Sequence, residues 1–252
     1  MTAQLTHIYR HPIKSHGREE LASVTLSPGQ SLPWDRHWAV THRTSKWKVV
    51  DPRWMACANF ILGSTVATLM AIDARLDEAA GTVALTHPAR DPMTFSPDDS
   101  TGQAAFLAWV TPLLADERQA VALVKAPGRG MTDTDYPSVS ICNTASNADL
   151  GRAVSADLSP LRWRGNLWVD GWEPWAEQAL LGRDLRIGDA VLRLVEPIKR
   201  CKATTANPAT GLRDVDTLQG LRDLTAAQNF GVYAQVQQGG TIRPGDPVEV
   251  LA

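Results

Sequence analysis

The 252-residue chain carries 25 basic and 27 acidic residues, so its net charge of −2 favours neither nucleic acid nor an anionic membrane. With 44% hydrophobic and 21% charged residues it has an ordinary globular composition, and its length suits one large domain or two small ones. Its three scattered cysteines make no disulfide framework, and there is neither a secretory leader nor an apolar run of about 18 residues, which points to a soluble, reduced, cytoplasmic protein.

The first 40 residues read as strands: LTHIYRHPI, LASVTLS and RHWAVTHR show apolar alternation and are separated by turn-rich KSHGRE and SPGQSLPWD. PRWMACANFIL reads as a helix with Pro52 in its first turn. VATLMAIDARL fits a helix face and a strand equally, and TVALTH is a strand. PARDPMTFSPDDSTG is proline-rich and polar, hence a loop; QAAFLAWVTPLL is a helix ending near Pro112. KAPGRGMTDTDYPS is a long loop, suited to a domain junction or a lid.

Beyond residue 138, ASNADLGRAV is a short helix capped near Ser146, LRWRGNLWVDG is a strand with a turn, and EPWAEQALLG is a helix. DLRIGDAVLRLV and GTIRPGDPVEVL each place Gly-Asp between alternating arms and read as two tight hairpins. Between them lie a helix, DTLQGLRDL, and a strand, NFGVYAQV. The expected fold class is mixed α and β, mainly β: a partly closed barrel with helices at its rim.

The chemistry concentrates at EPIKRCKATTANPATG, where Cys201 follows Lys199 and Arg200 and precedes Lys202. Such cations favour a thiolate, which serves as nucleophile, redox thiol or soft-metal ligand. CxxC is absent, the six histidines all lie in the first third, and no clustered Cys/His set suggests structural zinc. This leaves a lone thiolate in an electropositive pocket, suited to a metal whose other ligands belong to an anionic cofactor; the alternative is a small buried hydrophobe. The excess of arginine over lysine, 19 to 6, fits either coding bias or an anion pocket.

HPIKS, WDRHW, YPSVSICNTASNADL, RWRGN, PWAEQALLG, RIGDA, RCKATTANPATG, FGVYAQV and RPGDPVEV occur in the order found in MOSC proteins. The chain resembles the form with an N-terminal extension, which includes mitochondrial amidoxime-reducing components and bacterial reductases of N-hydroxylated compounds. That resemblance implies a MOSC-type β-barrel with peripheral helices over residues 1–36 and 125–252, and an inserted smaller α+β domain over 37–124. It implies a molybdenum cofactor, Mo-molybdopterin, with Cys201 as metal ligand and catalytic residue. Lys14, Ser15 and Arg36 would meet pterin or phosphate atoms. Arg164 and Asn166, expected on one face of a strand, would meet the pterin, with Arg200 beside the metal ligand. Ser146, with Asn143 and Thr144, opens a helix whose amides would hold the phosphate. Tyr233 is read either as a neighbour of the metal or as a core aromatic. The family also carries a general association with pyridoxal phosphate.

The resemblance further implies reduction of N-hydroxylated or N-oxide-type substrates at molybdenum, with electrons from a separate ferredoxin-like or cytochrome b5-like protein and its reductase. No appended iron–sulfur domain or N-terminal anchor is expected. Val49, Gly165 and Asn207 depart from the family pattern, standing where arginine, proline and aspartate are common. Two other readings stay open: a cofactor or sulfur carrier with a Cys201 persulfide, and a thiol hydrolase with Cys201 as nucleophile.

Overall fold

The computed structural model describes residues 3–114 and 119–251. Its first elements are β1 (Gln4–Arg10), β2 (Glu19–Glu20), β3 (Val24–Leu26) and β4 (Trp38–His42). There follow β5 (Asp73–Asp77), β6 (Thr82–His87), β7 (Arg90–Phe95), α1 (Ser100–Val110) and β8 (Ala120–Lys125). The second half holds β9 (Val139–Asn143), α2 (Thr144–Ala153), β10 (Leu167–Asp170), α3 (Ala176–Ala179), β11 (Asp184–Ile187) and β12 (Ala190–Lys199). It ends with α4 (Thr217–Thr225), β13 (Asn229–Gln238), β14 (Gly240–Ile242) and β15 (Val248–Val250). The chain is mainly β, as expected.

Eight strands form one sheet in the order β15-β11-β12-β13-β9-β10-β1-β2. Backbone bonds from Leu5 N to Asp246 O (2.9 Å), Gly245 N to Leu5 O (2.7 Å) and Val248 N to Ala3 O (2.8 Å) draw its two sides together, so it curls into a barrel-like form. Alternate residues of each strand point inward, as a period of two requires. Leu5, Ile8, Ile141, Val169, Leu185, Leu192, Val232 and Val248 thereby fill one core.

Two smaller sheets, β4-β8 and β5-β6-β7, pack with α1 around a second core that includes Trp38, Leu69, Leu85 and Phe106. Arg18 ties this region to the barrel loops. Its guanidinium is buried, donates to the carbonyls of Met70, Ile72 and Pro208, and faces Asp73 at 3.1 Å.

The structure corrects four local expectations. RDPMTF is strand β7, not loop; Pro92 is tolerated because β7 is an edge strand paired only with β6. PRWMACANFIL holds only a 3₁₀ turn, Cys57–Asn59, since Ile61 N bonds Val40 O and Trp54 and Met55 pack on Phe60 and Met131. The GTIRPGDPVEVL arms make a turn but not a hairpin: β14 pairs with β3, and β15 with β11. Pro244 and Pro247 remove ladder donors there, and the residues between the arms bond to β1 instead. RWRGN is not strand: Arg164 closes a 3₁₀ turn in the left-handed region, and β10 begins only at Leu167.

Replacing Arg18 by Met would leave three carbonyls without their charged donor. We expect a loss of about 3 kcal/mol and a Tm lower by roughly 6–12 °C in a thermal melt.

Candidate active site

The β1 strand ends in a tight turn in which His16 N bonds Ile13 O, placing Lys14 and Ser15 at its tip. Lys14 N donates to Trp38 O (2.8 Å), docking this turn on β4. A second turn carries Asp35 and Arg36, with Arg36 N bonded to His11 O (2.6 Å). A third places Arg164 just before β10, which lies beside β1. Among the described residues seven non-glycine positions have positive φ; three of them, Ser15 (63°), Arg36 (49°) and Arg164 (49°), line one cavity. Left-handed backbone costs an L residue energy, and its concentration here marks a place where side-chain direction outweighs local comfort.

The cavity measures about 460 Å³. Lys14, Ser15, Arg36, Arg164, Arg200, Cys201 and Tyr233, all expected at the site, line it together with Cys57, Asp133 and Glu196. Grooves of about 600 and 540 Å³ lie elsewhere, and neither is lined by a thiol.

Cys201 is exposed and begins the 3₁₀ turn Lys202–Thr205, where its carbonyl accepts from Thr204 N (3.2 Å) and Thr204 Oγ1 (3.1 Å). The thiol is therefore no core hydrophobe. The adjoining loop is held by a bidentate Arg162–Asp214 pair, both contacts 2.7 Å, to which Asn207 Nδ2 adds a bond of 2.8 Å.

Arg200 behaves differently from the expectation that it faces its neighbouring thiol. It donates to Phe230 O and Trp163 O (both 2.8 Å), lies over the Trp163 and Phe230 rings, and reaches Cys142 Sγ at 3.6 Å. Cys142 is buried below Gly165, where an added Cβ would come within 2.5 Å of its sulfur. That contact explains a glycine at position 165.

Arg36 pairs with Asp35, donates to Arg164 O (2.7 Å), and approaches His11 Nδ1 (3.2 Å) and Asn166 Oδ1 (3.5 Å). Arg164 donates to Gly17 O (3.0 Å) and, at 3.5 Å, to Ile13 O; among the described residues it has no carboxylate partner. Desolvation, Arg36 and Arg18 pull its pKa down to about 9. A guanidinium so destabilised gains from any anion that enters. Lys14 is paired to Asp133 and donates to Met131 O (2.8 Å). Burial opposes ionisation of Asp133, but Lys14 and Arg36 outweigh it and hold its pKa below the usual carboxylate range.

Asn166 lies just behind the cavity with its side chain committed. Its Oδ1 accepts from Ser140 N (3.1 Å) and Ser140 Oγ (2.8 Å), while Nδ2 donates to Tyr9 O (3.1 Å). Asn143, Thr144 and Ser146 do not line the cavity. Asn143 caps α2 through Ala145 N and donates to Glu177, Ser146 donates to the same buried Glu177, and Thr144 donates to Asp170. Glu177 thus already takes the side-chain donors of Asn143 and Ser146, and Asn143 Oδ1 takes the amide of Ala145. Arg129 likewise binds its own loop, donating to Thr134 O and Asp135 O and lying over Trp54.

Sequence reading missed Cys57, Asp133 and Glu196. Cys57 Sγ donates to Asp133 Oδ1 (3.3 Å), and burial with Asp133 raises its pKa to about 11. Glu196 accepts from Tyr136 (2.6 Å), fastening the 126–137 loop to β12. No motif announces these residues; only the position of Asp133 within a long loop hinted at a role.

Two buried histidines set an acid limit. Burial, then Arg36 and Arg164, lower His11 to about 3; burial, opposed by a bond to Lys14 O, lowers His16 to about 4. The unfolded chain takes up both protons near pH 6.5 while the folded one refuses them, so stability is lost as pH falls through that value. Each refused proton costs about 1.4 kcal/mol per pH unit. Urea unfolding between pH 7.5 and 4.5 should show a slope approaching two protons, and His16→Gln should lower it by about one.

Residues 131–249 match the MOSC domain family. The chain is 31% identical over 123 residues to mitochondrial amidoxime-reducing component 1 of Homo sapiens, covering 44% of this chain and 36% of that protein. It is 31% identical over 117 residues to molybdenum cofactor sulfurase of Drosophila grimshawi, covering 44% of this chain and 15% of that one. The aligned part thus spans about a third, or less, of these relatives. The crystal structure of the YUAD protein from Bacillus subtilis aligns with 13% identity and a TM-score of 0.47, over 99% of this chain and 96% of that one. The stretch 131–249, which carries Arg164 and Cys201, is a MOSC domain.

Proposed function

We propose that this protein is a molybdenum-cofactor-dependent reductase of N-hydroxylated or N-oxide-type compounds. One observation carries the reading: an exposed thiol, Cys201, shares a single cavity with Lys14, Arg36 and Arg164, cations drawn from both ends of the chain. The donor set suits the group. A thiolate is a soft ligand for the metal, and guanidinium and ammonium groups match an anionic dithiolene and phosphate. Arg164, half-buried and without a carboxylate partner among the described residues, is the cation such an anion would satisfy. Among those residues no cluster of three or more His, Cys, Asp or Glu side chains is placed to hold a metal. A metal would therefore take its remaining ligands from the cofactor.

When bound, the cofactor would supply the two-electron reduction of the N–O bond. The chain does the rest. Cys201 would hold the metal; Lys14, Arg36 and Arg164 would hold the anionic scaffold; Ser15 offers a hydroxyl at the same wall. Asn166 positions Arg36 and the 140–166 contact rather than touching the ligand. Arg200 builds the wall from the Trp163 and Phe230 side. Asp133 would hold Lys14 in the cavity wall, and the Tyr136–Glu196 bond would hold the loop that limits access of water. Electrons would arrive from a separate ferredoxin-like or cytochrome b5-like protein.

The likeness to a molybdenum cofactor sulfurase supports a second reading, a carrier with a Cys201 persulfide. The two separate cleanly. Protein made in a host that supplies the cofactor should carry close to one molybdenum per chain and reduce an amidoxime with a viologen donor. Cys201→Ser should lose at least about nine-tenths of the metal, as a missing thiolate ligand predicts, while Cys57→Ser keeps most of it. Equal molybdenum in wild type and Cys201→Ser would defeat the assignment. Labile sulfur without molybdenum would favour the carrier.

A further inference from the structure

The segment between β4 and the cavity projects an unusual tip. Asp51 N bonds Lys48 O (3.2 Å), making a turn whose two central residues are Val49 and Val50. Turn centres favour Gly, Pro, Asn and Asp, and β-branched residues are poorly suited to them. Both valines stand in solvent, 85% and 91% exposed, more than any other large hydrophobic residue described. Around them, residues 43–53 carry four cations, Arg43, Lys46, Lys48 and Arg53, against the single carboxylate of Asp51, in a chain whose net charge is −2. Trp47 and Trp54, packed on the Phe60–Met131 cluster, hold the base of the loop, and Trp54 Nε1 donates to Thr132 O (2.9 Å). Seven residues past Val50 the chain reaches Cys57 in the cavity wall.

We infer that this loop is the docking point for a small acidic electron-carrier protein, an inference that rests on the reductase reading above. A short apolar centre ringed by charge is the composition of a transient protein interface. The cations would steer an acidic partner and the valines would be buried on contact. Charge complementarity selects the class of partner: the loop is basic on an otherwise acidic chain, so a carrier with an acidic face is attracted here. A membrane is the poorer occupant, because a bilayer would bring no electrons to the cavity that this loop borders.

The test measures binding and turnover separately on the full chain. The probes are an acidic plant-type [2Fe–2S] ferredoxin, the soluble haem domain of a cytochrome b5, and vesicles of equal phosphatidylglycerol and phosphatidylcholine. At least one protein probe should bind wild type at low salt, weaken on the order of tenfold as salt is raised, and weaken on the order of tenfold in K46E/K48E. V49S/V50S should weaken binding while leaving the salt dependence in place. Viologen-driven reduction should be unchanged in both variants. Failure of both protein probes to bind, equal binding by wild type and variants, or binding to vesicles alone would overturn the docking proposal. A wild type that holds molybdenum yet reduces no N-hydroxylated substrate with viologen would instead overturn the reductase reading.

Discussion

Repulsion of Arg164 by Arg36 and Arg18, in a cavity that also holds Lys14, is the constraint to which the rest of this site answers. Positive groups removed from water repel one another more strongly than at a surface, and each also loses its hydration. Two carboxylates answer part of that cost. Asp35 is buried against Arg36 and also accepts from His11 N at 2.8 Å; Asp133 meets Lys14. Carbonyls answer more: Arg36 donates to Arg164 O and Arg164 to Gly17 O, so each guanidinium is held by backbone belonging to another part of the site. The balance stays incomplete at Arg164. An anionic ligand would complete it.

Topology brings the charges together without any local sequence signal. β1 lies next to β10, so the turn after β1 and the turn before β10 face each other although about 150 residues separate them. β9 and β13 lie beyond β10, carrying Ser140 and Tyr233 to the same region, and β12 delivers Lys199 and then Cys201 from its far end. Asn166 is the knot in this arrangement, since its single amide touches Ser140, Tyr9 and Arg36. An amide suits that task because it donates and accepts at once and carries no charge to add to the repulsion.

The strands of the barrel were legible where alternation was regular, as in DLRIGDAVLRLV and NFGVYAQV, because one buried face imposes a period of two. Reading failed where a distant partner decided the local form. Pro92 argued against a strand until β6 proved to offer it an edge, and Pro-Gly-Asp-Pro looked like a hairpin until its flanks found β1, β3 and β11. Lys14, Arg36, Arg164 and Cys201, each embedded in a recognisable motif, line one cavity. The surroundings of Asn143 and Ser146 were hidden because both donate to Glu177, a buried carboxylate some 30 residues downstream, while Thr144 turns to Asp170. The Cys57–Asp133 contact was invisible: neither residue has a neighbour in sequence that betrays a bond to the other.

The three cysteines show how placement, rather than residue type, decides chemistry. Cys142 is packed among aromatic side chains, where burial raises its pKa to about 11 despite the nearby Arg200. Cys57 opens onto the cavity, yet burial and its bond to the Asp133 carboxylate keep it protonated. A protonated thiol is a poor metal ligand and a poor nucleophile. Cys201 is the exposed one, and its sulfur makes no hydrogen bond with the described residues. The cations that flank it in sequence do not act as a simple ring, since Arg200 turns its guanidinium to the aromatic wall. Lys14, Arg36 and Arg164, remote from it in the chain, line the same cavity, so the thiol and these cations become a single site only when the barrel has formed.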